Sequence, residues 1–412
     1  MKNNRTFLEK LLDGAEVEWK PLWSITTWDK KFNAVEKEKQ PKVIKYHYYL
    51  ASELKPLIVD GGDVKLLTTN ESDIWTTEEL VQNNISEGEI IAIPWGGNPI
   101  VQYYKGKFVT ADNRIATSNN TKILDNKFLY YFLLSKLDVI SSFYRGSGIK
   151  HPSMYHVLEM LIPIPPLSVQ TEIVKILDSL TALTSELTSE LTLRRKQYEY
   201  YREKLLSVDN LILSTEHIQW VKLNDLGELI RGNGLQKKDF TETGVPAIHY
   251  GQIYTYYGTF ATKTKSFVSP ELAKKLKKAK YGDVLIAGTS ENVKDVMKPL
   301  GWFGSEIAFS GDMFAFRPNK NVNTKYLTYI LQTEKFYKFK EKYAQGTKVI
   351  RVRADNFLNY EIPLPPFEEQ QRIVSILDKF ETLTNSITEG LPLAIEQSQK
   401  RYEYYRELLL SF

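Results

Sequence analysis

The sequence contains no cysteine and only five histidines in 412 residues. Without cysteine the chain has no disulfide bonds and no thiolate metal sites, which is typical of proteins in a reducing compartment. The histidines form no HExxH motif, and the sequence has no GxxxxGK[ST] phosphate-binding loop. These absences argue against a metallohydrolase and against an ATPase.

Long apolar runs and an excess of one charge are also missing. No 18 consecutive apolar residues occur, as a membrane-spanning helix would need, and the N-terminus lacks the apolar core of a signal peptide. The 54 basic and 50 acidic residues leave a formal net charge of +4, so a nucleic-acid interface would have to be a local basic patch. We expect a cytoplasmic protein that contacts no membrane, with two globular domains in a chain of this length.

What the sequence does contain is a long internal repeat. The segment IPIPPLSVQTEIVKILDSLTALT at 162–184 matches IPLPPFEEQQRIVSILDKFETLT at 362–384, which is 200 residues later. A second match pairs QYEYYREKLLS at 197–207 with RYEYYRELLLS at 401–411, at an offset of 204. The four extra residues are roughly one helical turn, so the change keeps a helix face nearly in place. The chain therefore consists of two related halves.

The repeated segments have the spacing of helices. Apolar residues from Ile173 to Leu187 are separated alternately by three and four residues, the pattern of a coiled-coil seam, and 373–387 has the same spacing. Because proline is tolerated only in the first turn of a helix, the two Pro-Pro pairs predict helices that begin near Leu167 and Phe367. We expect the first helix to continue to about Ser207.

Two local features distinguish the copies. The first helix carries a tandem tetrapeptide, TSELTSEL, whose repeated residues are Thr184, Leu187, Thr188 and Leu191. The second copy has Gly390 and Pro392 instead, which predict a break followed by a distal helix to about Leu410.

The segments between the helices are related but diverged. GEIIAI at 88–93 matches GDVLIA at 282–287, and LYYFLL at 129–134 matches YLTYIL at 326–331. Aromatic and β-branched runs separated by turn residues predict mainly strands, with a helix near the end of each segment. We predict an N-terminal helix at 1–16, an α+β domain at 17–161, a central helix at 162–208, a second α+β domain at 209–361 and a C-terminal helical region at 362–412.

Together, the two diverged domains and the near-identical helices with PIPPL…Q…IV.ILD, TSELTSEL and QYEYYRE.LLS resemble the DNA specificity subunit of type I restriction-modification systems. The tandem tetrapeptide is similar to the TAEL-like repeats of one subfamily. The resemblance covers the whole chain and implies an α+β fold. In that fold, two homologous target-recognition domains are separated by two long conserved helices packed as an antiparallel coiled coil. Each domain would read half of a bipartite, asymmetric site in double-stranded DNA.

The resemblance also implies that chemistry belongs to other chains. Two methyltransferase subunits and the restriction/translocase subunits would be partners, with S-adenosylmethionine, ATP and Mg expected on them and no cofactor on this chain. An adenine methyltransferase needs an Asn/Asp-Pro-Pro-aromatic motif, whereas both Pro-Pro pairs here follow Ile or Leu at a predicted helix start. A DNA-independent coiled-coil adaptor and a single-chain restriction enzyme with unrecognised catalytic motifs stay open as alternatives.

Two loops at equivalent positions are candidates for DNA contact, RGSGIKH at 145–151 and QGTKVIRVR at 345–353. Glycine lets the backbone approach a phosphate, hydroxyls and lysine hold phosphates, and Arg or Gln can read a base edge. The alternative is a pair of solvated glycine turns. The candidate residues are Arg145, Gly146, Ser147, Lys150, His151, Gln345, Thr347, Lys348, Arg351 and Arg353.

A third candidate loop is RGNGLQKK at 231–238, in which Arg231 and Asn233 are the predicted contacts. Its GxGxxG character is weak because the third glycine is missing. The lysine run between Lys274 and Lys280 predicts a charged helix that is either a solvated face or a surface that attracts phosphates.

Tyrosines cluster near the end of each repeat. One helix face cannot bury three tyrosines in five residues, so some must point away from the seam. We expect Tyr198, Tyr201, Tyr402 and Tyr405 either to pack on the adjacent recognition domain or to bind a methyltransferase subunit.

Overall fold

The computed structural model describes residues 6–207, 209–211, 218–386 and 388–412. It divides the chain into a first unit, formed by Met1–Ser185 with Gln397–Phe412, and a second unit, formed by Glu186–Glu396. The central helix (Leu167–Leu205) and the final helix (Leu391–Leu409) each have residues in both units. Both units mix helices with sheets, which confirms the predicted α+β class.

The first unit is built on a six-stranded sheet. In spatial order its strands are Thr26–Trp28, Asn113–Ser118, Ser86–Pro94, Gln102–Thr110, Val64–Leu67 and Trp75–Thr76. Only the pair Val64–Leu67 with Gln102–Thr110 is parallel. Two small antiparallel sheets pair Glu18–Pro21 with Leu161–Ile164 and Tyr144–Arg145 with His151–Pro152.

Short helices surround this sheet. They are Phe7–Leu12, Leu22–Ile25, Ala51–Leu54, Glu78–Val81, Asn126–Ser135, Leu137–Ser142 and Met154–Glu159, with 3-10 turns at Lys37–Lys39, Lys55–Leu57 and Gln82–Asn84. The helix predicted near the end of the first diverged segment is two helices, Asn126–Ser135 and Leu137–Ser142, because the backbone at Lys136 (φ −106°, ψ 22°) leaves the helical region.

The central strand Ser86–Pro94 shows why the sheet is buried on both faces. Side chains alternate along a strand, so Ile91 and Ile93 join the core shared with the helices while Ile90 and Ala92 join a separate cluster on the other face. A continuous apolar run is what a strand covered on both faces requires.

The second unit contains two five-stranded sheets. One has the order Gly227–Arg231, Met313–Pro318, Val284–Ala287, Pro299–Trp302 and Phe260–Ala261, and the other has Phe240–Thr241, Ser266–Val268, Val245–Ile248, Ile307–Phe309 and Lys278–Ala279. Small sheets pair Gln219–Lys222 with Glu361–Leu364 and Thr289–Ser290 with Ile350–Arg351. Its helices are Leu223–Leu226, Tyr250–Thr255, Pro270–Ala273, Thr324–Ile330, Glu334–Tyr343, Ala354–Leu358 and the penultimate helix Phe367–Asn385, with a 3-10 turn at Lys237–Asp239.

The long helices begin where the Pro-Pro pairs predict, at Leu167 and Phe367. The predicted break is also confirmed, because the penultimate helix ends at Asn385 and the final helix begins at Leu391. Gly390 has φ +83°, and a Cβ there would lie 2.4 Å from the Thr382 carbonyl oxygen. Only glycine fits this turn without strain.

Each unit holds one antiparallel pair of long-helix segments. In the second unit the ring of Tyr198 lies 6.3 Å from that of Phe380, while Arg195 donates to the Thr384 carbonyl at 3.5 Å. Residue numbers thus rise along one helix as they fall along the other. In the first unit Thr184 and Ser398 share a hydroxyl hydrogen bond of 2.8 Å.

A buried glutamine ties the α+β domain of each unit to its long helix. Gln170 accepts from the Asp125 N–H at 2.9 Å and donates to the Pro165 carbonyl at 2.8 Å. Gln370 makes the matching bonds in the second unit, accepting from Asn323 at 2.8 Å. The glutamine of the repeated motif therefore connects the start of the helix to the turn before the domain helix.

An aspartate two turns later makes a second connection. Asp178 accepts from the Tyr131 hydroxyl at 2.6 Å and from the Lys127 ammonium at 2.7 Å. Asp378 accepts from Tyr329 at 2.8 Å and from Lys325 in the same way.

Within the described ranges, no helix is both long and apolar enough to cross a membrane.

Candidate nucleic-acid interface

The first candidate loop is a hairpin at the edge of the first unit. Arg145 pairs with His151 across it, and this first hairpin (residues 145–151) is exposed throughout. Gly146 has φ +143°, and a Cβ there would lie 2.7 Å from the Ile149 carbonyl oxygen. Glycine is therefore required for the turn, which leaves Ser147 and Lys150 facing solvent.

The base of the first hairpin rests on Trp95. The His151 ring lies 5.3 Å from the Trp95 ring, and His151 Nδ1 is 2.7 Å from the Trp95 carbonyl oxygen. Trp95 also contacts the Arg114 guanidinium, which is 4.3 Å from the ring centroid. The contact with Trp95 and the hydrogen bond to its carbonyl oxygen restrain the imidazole.

Arg114, the buried member of this cluster, is charged but paired with carboxylates. Arg114 is only 2% exposed, and its guanidinium lies 2.8 Å from Asp112 and 3.4 Å from Asp29. Burial raises the pKa of Asp29, while hydrogen bonds from the Tyr48 hydroxyl and the Ile115 N–H and the Arg114 charge oppose that rise. Because Arg114 is paired and buried, it supports Trp95 and is not available to a ligand.

The second candidate loop repeats this plan in the second unit. Gln345 and Arg351 exchange two backbone hydrogen bonds of 2.9 Å and close the second hairpin (residues 345–351). Gly346 has φ +108° and a Cβ there would lie 2.1 Å from the Val349 carbonyl oxygen, so this turn also needs glycine. Thr347, Lys348 and Arg351 are exposed.

The second hairpin meets the third candidate loop. Arg231, Arg351 and Arg353 line one groove of about 400 Å³, together with Asp312 and Asp355. We call it the arginine groove. Arg353 and Asp355 are 3.8 Å apart and both well exposed, so their ion pair contributes little and the guanidinium stays available. Segments more than a hundred residues apart in the sequence thus form one basic surface.

Asn233 has a different environment from the other candidates. Its amide donates to the Lys275 carbonyl at 2.8 Å and accepts from the Lys277 N–H at 2.7 Å. The side chain therefore holds the lysine run beside the 231–238 loop. DNA contact by Asn233 itself remains a prediction.

The prediction that the lysine run is helical is wrong. The helix ends at Ala273, and Lys278–Ala279 is a strand. Asn233 and the neighbouring strand take up backbone groups that a helix would need for its own hydrogen bonds. Lys274, Lys275, Lys277 and Lys280 are nevertheless exposed.

Comparison with known proteins shows which family the chain is related to. The model described as the type I restriction modification DNA specificity domain matches residues 30–193 and again residues 216–397. The chain belongs to the type I restriction-modification specificity family. Each match covers one diverged domain and most of the helix that follows it.

Similar proteins support the same family. A Haemophilus influenzae protein assigned as a type I restriction enzyme specificity subunit is 41% identical over 434 residues and covers 100% of both chains. The EcoR124I/EcoR124II specificity subunit of Escherichia coli is 32% identical over 420 residues, covering 99% of this chain and 97% of the relative. These names give no support to the adaptor or single-chain enzyme alternatives.

A solved structure shares the fold. The S subunit of a type I restriction-modification system from M. genitalium covers 100% of this chain and 96% of its own, with a TM-score of 0.57 and 18% identity.

The tyrosines of this specificity subunit divide into two groups. Tyr198 is 5% exposed and stacks on Phe380, as does Tyr201 at 5.5 Å. In the first unit Tyr402 and Tyr405 pack against the hydrophobic core. All four therefore contact their own unit.

The remaining tyrosine of each cluster points outward. Tyr200 is 59% exposed and Tyr404 is 61% exposed, at matching places in the repeat. Sequence reasoning did not select them, although helical spacing could have, because positions i and i+3 share a face and i+2 lies away from it.

Gln170, Gln370, Asp178 and Asp378 were also overlooked as positioning residues. Their recurrence in both copies was the available signal. A glutamine or an aspartate in a helical repeat does not by itself indicate which backbone or side-chain group of the domain it contacts.

Proposed function

We propose that this chain binds double-stranded DNA through the first hairpin in one unit and through the arginine groove with the second hairpin in the other. Each unit reads half of a bipartite, asymmetric site, and the chain directs two methyltransferase subunits and the restriction/translocase subunits to it. The observation that carries the proposal is one hairpin design, closed by Arg145 with His151 and by Gln345 with Arg351, that presents different side chains in the two units.

The exposed groups match the chemistry of a DNA duplex. Ser147, Lys150, Thr347 and Lys348 offer hydroxyls and ammonium groups to phosphates. Arg351 and Arg353 offer guanidinium groups, which can donate two hydrogen bonds to a guanine. A local basic surface of this kind compensates for the small net charge.

Partner binding is assigned to the repeated helices. Tyr200 and Tyr404 are exposed at matching positions, so two copies of one methyltransferase subunit would find the same contact twice. S-adenosylmethionine, ATP and Mg belong to the partner subunits in this proposal, and the assembled complex acts in the cytoplasm.

The test uses the chain assembled with its methyltransferase subunits. Mapping methylated adenines in DNA exposed to this complex should reveal two short half-sites separated by a fixed gap, with different sequences. A continuous or palindromic site would contradict the proposal that each unit reads its own half. Methyl transfer or cleavage by the purified chain alone would favour the single-chain enzyme.

Salt dependence provides a second measurement with a matched control. Lys150→Ala combined with Lys348→Ala should reduce the slope of log affinity against log salt by about two, since each lysine that leaves a phosphate lowers it by about one. Lys122→Ala removes an exposed lysine that precedes the helix Asn126–Ser135 and belongs to neither hairpin, and it should leave the slope unchanged. Equal slopes for all three proteins would exclude the hairpins as phosphate contacts.

A further inference from the structure

We infer that His151 and Arg351 are the paired base-reading side chains of the two units, and that they make the site asymmetric at one equivalent position. His151 selects a base with an exocyclic amino group, adenine or cytosine, and Arg351 selects guanine. The inference rests on the proposed DNA-binding function and adds to it the identity of two reading positions.

The two residues occupy the same place in their hairpins. They are 200 residues apart, and each closes its hairpin opposite the residue six positions earlier, Arg145 or Gln345. Each also lies against the segment that follows the central strand of its unit: His151 contacts Trp95, and Arg351 pairs with Thr289. Homologous positions with different side chains are where two diverged readers should differ.

The chemistry of His151 is determined by one hydrogen bond. The Trp95 carbonyl oxygen can only accept, so Nδ1, at 2.7 Å, must carry the proton. In the neutral ring the remaining nitrogen, Nε2, is then an acceptor. In the major groove, adenine N6 and cytosine N4 are the base groups that donate to such an acceptor.

The surroundings of His151 make it a reader with a defined orientation. The ring packs on Trp95, and Trp95 packs on Arg114, which Asp29 and Asp112 hold in place. Little side-chain entropy remains to be lost when the imidazole meets a base edge, in contrast to a free surface lysine.

Arg351 has a rigid backbone and a free head group. Its main chain is hydrogen-bonded to Gln345 on one side and paired with Thr289 on the other. Its side chain is exposed at the arginine groove. A guanidinium has donors only, and guanine O6 and N7 are the pair of acceptors that match its fork.

The experiment uses the complex with methyltransferase subunits and a pool of duplexes with randomised sequence, and it reads the sequences that become methylated. His151→Ala should relax the preference at one base pair in one half-site, and Arg351→Ala at one base pair in the other half-site. Discrimination at that pair should fall by roughly tenfold to a hundredfold, the usual contribution of a specific base contact. The preferences elsewhere in the site should remain.

Conservative variants and neighbouring lysines are the controls. Arg351→Lys keeps the charge but loses the two-pronged contact, so it should relax the guanine preference while retaining most of the affinity. His151→Gln should shift the first half-site towards adenine, which glutamine contacts with both amide groups. Lys150→Ala and Lys348→Ala should weaken binding to all sequences equally.

Three outcomes would overturn the inference. If His151→Ala and Arg351→Ala weaken every sequence equally, both residues contact phosphates, and the proposed function stands without them as readers. If one substitution changes both half-sites, the positions are not independent readers. If either alanine variant fails to assemble, His151→Gln and Arg351→Lys decide, and an unchanged sequence profile in both rejects the inference. A wild-type complex that selects no sequence at all would instead refute the proposed function.

Discussion

At the scale of single residues, the same polar anchors recur in both units. Asp178 joins the central helix to Lys127 and Tyr131, and Asp378 joins the penultimate helix to Lys325 and Tyr329. These anchors fix each long helix to its own domain in both units, although the domain sequences have diverged. The anchoring positions are thus separate from the exposed hairpin residues that we propose to contact DNA.

Neutralising one anchor should weaken one unit. We expect Asp178→Asn to lower the free energy of unfolding by about 1 kcal/mol, because the charged contact with Lys127 is lost while Tyr131 retains an acceptor. Asp378→Asn should have a similar effect, and the double variant should be additive because the sites share no partners. Urea unfolding checks this, with Glu172→Gln as control because its contact with Lys175 is long, at 3.9 Å, and exposed. An equally destabilised control would contradict the assignment.

Lys340 is a buried cation in the helix Glu334–Tyr343 of the second unit. Its ammonium donates to the Val296 carbonyl at 2.9 Å and to the Lys294 carbonyl. Burial lowers the pKa of Lys340 to about 8. The ammonium thus holds the 294–296 segment of the second unit. Because its pKa is lowered, the buried side chain loses its charge at a lower pH than an ordinary lysine.

This burial should make stability depend on pH. The folded protein releases the Lys340 proton at a lower pH than the unfolded chain, whose lysines titrate near ~10.4. Between these values the unfolded state binds more protons, so the free energy of unfolding rises with pH. Relative to Lys340→Met, the wild type should gain about 2 kcal/mol between roughly pH 7 and pH 9.5 in urea unfolding. Parallel pH profiles for the two proteins would contradict a charged, buried lysine.

At the scale of elements, the starts of the long helices could be predicted from the sequence, whereas the meeting of loops that are distant in the sequence could not. Pro165-Pro166 and Pro365-Pro366 mark helix starts because proline is excluded from a helix interior, and the three-four spacing extends the pattern over many residues. The meeting of Arg231 with Arg351 depends on which strands become neighbours in a sheet, which local spacing does not encode. The lysine run had helical composition, but Asn233 takes up its backbone.

The tandem tetrapeptide is the element whose length we expect to matter. It lies inside the continuous central helix, and the boundary between the units falls after Ser185, within the first tetrapeptide. A third TSEL copy adds about 6 Å of helix and roughly 40° beyond a full turn. We therefore expect the gap between half-sites to lengthen in methylation mapping with the partner subunits.

The control for this experiment keeps the length and changes the composition. Ser185→Ala with Ser189→Ala changes both tetrapeptides from TSEL to TAEL and preserves the length of the helix. The gap between the half-sites should therefore stay as in the wild type. An insertion variant that methylates sites with the original gap would show that the tandem does not measure distance.

At the scale of the whole molecule, the chain leaves the first unit, forms the second and returns. The first unit is completed by Gln397–Phe412, so its helix pair joins residues from the middle of the chain to residues near its C-terminus. Each unit nevertheless has its own anchors. This organisation predicts that one recognition domain can be replaced while the other half-site is kept.

Replacing the first recognition domain with that of a relative should change one half of the recognised site and leave the other half and the gap intact. The exchanged segment should be 22–160 and not 17–161, because Glu18–Pro21 pairs with Leu161–Ile164. Exchanging 17–161 would replace one strand of this pair and only the first residue of the other, so the pair would mix strands from two proteins. Adenine methylation mapping of the hybrid complex, beside a reciprocal hybrid of the second domain, gives the readout. A hybrid in which both halves change would mean that the two units read DNA together and not independently.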